Sequence, residues 1–178
     1  DPVILSGDST ISGVNVTVEG TLNDDGDGMT ASNLVVNASG TTQFNGAVGD
    51  ANPIDSLTTD AAGTTSLNGS ISVAGDVTLN DAVTLISDST ITATNVTFGS
   101  TLDDDGMALT GSNLVVNADG VTQFVGEVGG INPLDSLTTD APGTTELSST
   151  VHVSLGMLTF NDGVILTEDI QINASNAG

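Results

Sequence analysis

The residues best suited to chemistry in this 178-residue chain are carboxylates. The densest group is Asn23-Asp24-Asp25-Gly26-Asp27-Gly28, echoed by Asp103-Asp104-Asp105-Gly106. Oxygen ligands at alternate positions followed by glycine resemble the first half of a calcium loop. That spacing makes Asp24, Asp25, Asp27, Asp103, Asp104 and Asp105 candidate calcium ligands, arranged as two separate sites. The match stops there. Leu34 stands at the twelfth position, where an EF-hand needs an acid, and a solvated acidic turn accounts for the same residues. Nothing else in the sequence asks for a cofactor.

Other chemistries find little to work with. His152 is the single imidazole and takes the place of Ser72 in a matching earlier segment, which suits a strand position better than a catalyst. There is no Cys, hence no disulfide, thiolate metal site or thiol nucleophile. A glycosidase needs two carboxyl groups about 5–9.5 Å apart in a cleft. This chain has no Trp or Tyr to form a sugar platform beside such a pair. The expectation is therefore a protein that is not an enzyme.

Charge excludes further partners. With no Lys or Arg and 23 Asp plus Glu, the net charge is −23. Such a chain cannot neutralise phosphates, so nucleic acid is no partner and a polybasic membrane anchor is ruled out. No apolar run approaches the ~20 residues that span a bilayer. The chain opens at Asp1 without Met or a basic leader, so a signal segment is expected to have been removed or to lie outside it.

What must position these carboxylates is a tandem repeat. Residues 1–76 align without a gap onto 81–156, and 44 of the 76 positions are identical. The repeats run 1–80 and 81–161, and a third starts at 162–178, all within one solenoid spanning 1–178. A finer period lies inside each unit: Leu34-Val35-Val36-Asn37-Ala38 matches Leu57-Thr58-Thr59-Asp60-Ala61, and Phe44 matches Leu67. Segment starts fall roughly 18–23 residues apart, the spacing of one coil in a stacked array. Each short run alternates, as in Val14-Asn15-Val16-Thr17-Val18, so one row of side chains faces inward and the next outward.

These features predict an all-β chain, a parallel β-helix or β-solenoid of about 8–9 coils of roughly 18–23 residues. At ~4.8 Å per coil, it is a rod about 40 Å long with its two acidic clusters about four coils apart. Asp60 and Asp140, with Asn37 and Asn117 one coil away, read as corner residues bonding their own backbone. The pairs Thr41-Thr42, Thr64-Thr65 and Thr144-Thr145 suggest an outward Thr ladder that Val121 interrupts. No capping helix or polar terminal repeat is evident, so the ends are expected to act as open strand edges that template further pairing.

The run Leu-Thr-Thr-Asp-Ala-x-Gly-Thr-Thr-x-Leu at 57–67 and 137–147 resembles repeats of filamentous-haemagglutinin-like and autotransporter-like giant secreted bacterial proteins. So do Asn45-Gly46-Ala47-Val48-Gly49 and Asn80-Asp81-Ala82-Val83-Thr84-Leu85, and the likeness covers nearly the whole chain. The resemblance implies a right-handed parallel β-helix, export to the cell surface, and a role in adhesion or extracellular (biofilm) matrix. It carries over no functional residue. The expected function is a non-enzymatic extracellular filament subunit or adhesin stalk segment. Its partner is itself, head to tail, or neighbouring repeats of a longer chain. The alternative is a calcium- or glycan-binding adhesin module that meets cell-surface glycans.

Overall fold

The computed structural model describes residues 1–28, 30–107, 111–140, 142–154 and 156–175, and these form strands and turns with no helix. The first turn has one strand on each of three sides: β1 (Val3–Leu5), β2 (Ser9–Gly13) and β3 (Val16–Val18). β4 (Leu22–Asp24) then returns parallel to β1. The first repeat continues through β5 (Asn33–Ala38), β6 (Thr41–Phe44), a single bridge at Val48, β7 (Ser56–Thr59), β8 (Thr64–Leu67), β9 (Ile71–Ser72) and β10 (Val77–Leu79). The second runs through β11 (Ala82–Leu85), β12 (Ser89–Ala93), β13 (Val96–Phe98), β14 (Leu102–Asp104), β15 (Asn113–Ala118) and β16 (Val121–Phe124). A bridge at Val128 leads on to β17 (Ser136–Thr139), β18 (Thr144–Leu147), β19 (Val151–Val153) and β20 (Leu158–Phe160). The third repeat opens with β21 (Gly163–Leu166) and β22 (Ile172–Ala174). Its residues 176–178 lie outside the described part.

Every pairing is parallel and joins one turn to the next. The second face is an unbroken eight-stranded sheet, β2-β5-β7-β10-β13-β16-β18-β21. The first face runs β1-β4, Val48, then β9-β12-β15-β17-β20, and the third runs β3-β6-β8-β11-β14, Val128, then β19-β22. This is a three-sided β-solenoid of about seven turns. Each face stacks eight rungs joined by seven steps, at the lower end of the eight to nine coils expected. Turn length varies from 18 residues (Leu67 to Leu85) to 26 (Leu22 to Val48), because the segments after β4 and β14 add residues without adding a turn. At ~4.8 Å per step the rod is about 34 Å long.

The alternation works as anticipated. Strands such as β6 and β7 bury every second side chain, and the inner positions stack in columns. On the second face Leu34, Leu57, Val77 and Val96 lie in register on successive turns, all fully buried. Phe98 and Phe124 stack with centroids 5.0 Å apart and rings nearly parallel. Each such side chain stabilises the fold by ~1.5–3 kcal/mol.

Repeat and turn do not share a period. Eleven sides separate β1 from its copy β11, which is three turns and two sides. Val3-Ile4-Leu5 therefore lies on the first face, Val83-Thr84-Leu85 on the third and Val164-Ile165-Leu166 on the second. Each repeat moves a feature about 18 Å along the axis and onto another face.

Close contact between turns also needs glycine at particular corners. Gly63 has φ +88°, and a Cβ there would run into the carbonyl oxygens of Gly40 and Ala38 on the preceding turn. Gly63→Ala is expected to lower the urea midpoint by at least ~1 kcal/mol equivalent, since the residue can neither relax its φ nor recede. Leu57→Ala should cost ~2–5 kcal/mol as a core truncation. Thr58→Ala, at the neighbouring outward position, should stay near zero in the same assay.

Candidate functional site

The two acidic clusters lie in paired loops at the edges of the prism. In the first repeat the loop after β4 and the loop 49–55 of the next turn stack between the first and second faces. They are joined by Asp24 N–H donating to the Asn52 carbonyl (3.0 Å) and Asp55 N–H donating to the Ser32 carbonyl (2.8 Å). The second repeat builds the same pair after β14 and at 129–135, but between the third and first faces.

The carboxylates serve as loop anchors. Asp24, buried in register with Leu5, accepts from Ser32 N–H (2.9 Å), Ser32 Oγ–H (2.7 Å) and Gly26 N–H (3.1 Å). Asp104 repeats this with Ser112 N–H (2.7 Å) and Gly106 N–H (2.8 Å). Asp25 accepts from Asp27 N–H, and Asp105 from Met107 N–H. Asp103 accepts from Ile131 N–H (2.8 Å) and Asn132 N–H (3.3 Å); Asn23 makes the same two bonds to Ala51 and Asn52. An amide thus replaces a carboxylate at one position with no change of bonding, which marks an acceptor role rather than a need for charge. Asp27 is exposed at the tip of its loop. Among the described residues, no three His, Cys, Asp or Glu come together in an arrangement that holds a metal. The two clusters are about 18 Å apart along the axis and on different edges.

Beside the second loop pair, the third face carries a shallow groove of about 340 Å³ lined by Thr64, Ala82, Thr84, Thr101, Asp103 and Ile131. Its walls offer hydroxyls, aliphatic surface and three acidic residues, since Asp104 and Asp105 line it beside Asp103. Farther along that face His152 Nε2 lies 3.4 Å from Ser175 Oγ.

Other corner residues bond between turns. Asp60 accepts from Ala38 N–H (3.0 Å) and Asp140 from Ala118 N–H (2.9 Å), so each ties down the preceding turn rather than its own. Asp8, Asn33 and Ser56 form a ladder, as do Asp88, Asn113 and Ser136. The Thr pairs do not form one array. Thr41 and Thr64 face outward on the third face and Thr144 on the second, while Thr42, Thr65 and Thr145 are buried inner positions. A separate outward column, Thr58-Thr78-Thr97, runs up the second face.

One arrangement escaped the sequence reading. Asp81, buried between the second and third faces, accepts from Thr59 Oγ1 and Thr65 Oγ1 at 2.9 Å each, both from the preceding turn. Asp162 does the same with Thr139 (2.9 Å) and Thr145 (2.8 Å). Burial raises the Asp81 carboxyl above the usual aspartate range, the nearby Asp60 adds to the rise, and the Thr hydroxyls oppose it. Asp24 and Asp8 move the other way. The Ser32 hydroxyl and the Gly26 N–H hold Asp24 low, and Asn33 holds Asp8 low through its backbone N–H and then its amide. The signal that was available is the recurrence of Asn-Asp at 80–81 and 161–162.

No protein-family model matches this chain, nor does any curated protein or solved structure.

Because Asp24 and Asp8 titrate below their unfolded values, their contribution is present above the ordinary aspartate range and lost as pH falls through the lowered folded values. Asp24→Ala should speed cleavage within residues 25–31 by an aspartate-directed protease while far-ultraviolet dichroism of the rod is unchanged. Asn23→Asp, which copies Asp103, should leave both readouts at the parent level.

Proposed function

We propose that this chain is an extracellular structural element, a filament subunit or adhesin stalk segment that stacks end to end on like turns. One observation carries the reading. In the last turn, inner-row residues Val164, Leu166 and Ile172 are 40%, 54% and 44% exposed, whereas their copies Val83, Leu85 and Ile91 are at most 1% exposed beneath the following turn. The same sequence is therefore already seen in its covered state, with strand β14 completing β11 in parallel register. A like turn, from a second copy or from further repeats of the same chain, buries this apolar row and pairs its backbone.

Charge supports growth along the axis rather than sideways. The flanks carry a net −23 with no cation to pair across a lateral contact. At 0.1 M salt the screening length is about 10 Å, so flank repulsion persists at contact distance. Export to the cell surface rests on the resemblance of the 57–67 and 137–147 runs to giant bacterial exoproteins.

Sedimentation and negative-stain electron microscopy at rising concentration test this reading. Rods of constant width that lengthen with concentration are expected, and added salt should favour them. The double substitution Leu166→Asp with Ile172→Asp should abolish lengthening while the β-sheet dichroism persists. A single species at every concentration, unaffected by the substitutions, would sink the stacking. Heat released on titration with calcium or a glycan set would instead favour the adhesin-module reading.

A further inference from the structure

We propose that the corner formed by Thr59, Thr65 and Asp81 is a proton-binding site inside the solenoid, one that tightens the rod in acid. The inference is independent of end-to-end stacking and rests on three observations.

The first is position. Asp81 is 2% exposed, at the edge of a core otherwise built of Leu, Val, Ile and Phe. Both carboxyl oxygens face hydroxyls: Oδ1 takes bonds from Thr59 and Thr65, and Oδ2 another from Thr65 at 2.9 Å. The second is the company it keeps. Among the described residues the one charged group acting on it is Asp60, of the same sign, and the chain has no Lys or Arg to compensate either. A buried carboxylate without a counter-charge favours its neutral form, whereas one with a cation beside it does not. Hydroxyls suit both states, because each can rotate to donate to a carboxylate or accept from a carboxylic acid.

The third observation is recurrence across a shift in register. Thr139 and Thr145 follow Thr59 and Thr65 by 80 residues, yet Asp162 follows Asp81 by 81. One residue has been gained in the intervening stretch, and the acid still returns to the same two hydroxyls. Asn80 and Asn161 repeat too, each donating from Nδ2 to the carbonyl of Thr59 or Thr139 (2.8 and 3.0 Å). The two corners lie between different pairs of faces, so what recurs is the local constellation.

The sign follows from linkage. A carboxyl whose folded value lies above its unfolded value stabilises the fold fully below the unfolded value, and that contribution is lost as pH rises through the folded one. Relief of general repulsion among 23 acids also favours the rod in acid, so a variant must separate the two effects.

Asp81→Asn does so, since it mimics the protonated acid and leaves the other carboxylates in place. At neutral pH its thermal midpoint should exceed the parent's by roughly 2–4 °C, and the gap should close near pH 3, about one unit below the ordinary aspartate value. Carbon-detected NMR of the parent should show the Asp81 carboxyl titrating above the ordinary range, a readout that does not require the variant to fold. Titration at or below that range would overturn the proposal, as would an Asp81→Asn midpoint below the parent's at neutral pH. So would a parent midpoint at neutral pH that follows added potassium or calcium and loses this response in Asp81→Asn, because the corner would then hold a metal cation.

Discussion

Everything in this molecule hangs on the backbone bonds between one turn and the next. A parallel strand has no partner nearby in sequence, so each two- to six-residue strand is stable only because another lies along it. The register is uniform from Val3 beside Leu22 to Leu147 beside Leu166, and it brings like side chains into columns. The columns then supply the apolar burial that no single turn possesses. Glycine at Gly63 follows from the same requirement, since the turns approach too closely there for any Cβ.

The second constraint is charge without counter-charge. A chain with 23 acids and no Lys or Arg cannot form the usual ion pairs between side chains, and it satisfies its carboxylates with neutral donors instead. Backbone N–H groups serve Asp24, Asp60, Asp104 and Asp140; an amide serves Asp8; hydroxyls serve Asp81 and Asp162. Bonds of this kind are local and strongly directional, and they pin loops to turns. The acidic clusters are thus part of what shapes the paired loops, with Asp24 and Asp104 each gathering eight residues of chain back onto the prism.

The architecture was legible because two periods appear plainly in the residues. Alternation in runs such as Leu34-Val35-Val36 defines an inner and an outer row, and the match of Leu34 to Leu57 and Phe44 to Leu67 aligns one turn with the next. The longest turns were not legible, because the segment after β4 lengthens a turn to 26 residues without lengthening the rod. Thr42 and Thr65 were misjudged as outward because adjacent threonines look alike in sequence, although strand geometry must send them to opposite sides. The Asp81 corner was hidden by distance, since its partners stand 16 and 22 residues away and meet it only when the prism is closed.

The mismatch between repeat and turn bears on how such a rod meets its surroundings. Three repeats amount to thirty-three sides, or eleven whole turns, about 53 Å of axis, after which every feature regains its first azimuth. In this chain the loop pair stands on two of the three edges, between the first and second faces in one repeat and between the third and first in the next. Each added 80-residue unit therefore lengthens the rod and, in the same step, turns its loops toward a new side.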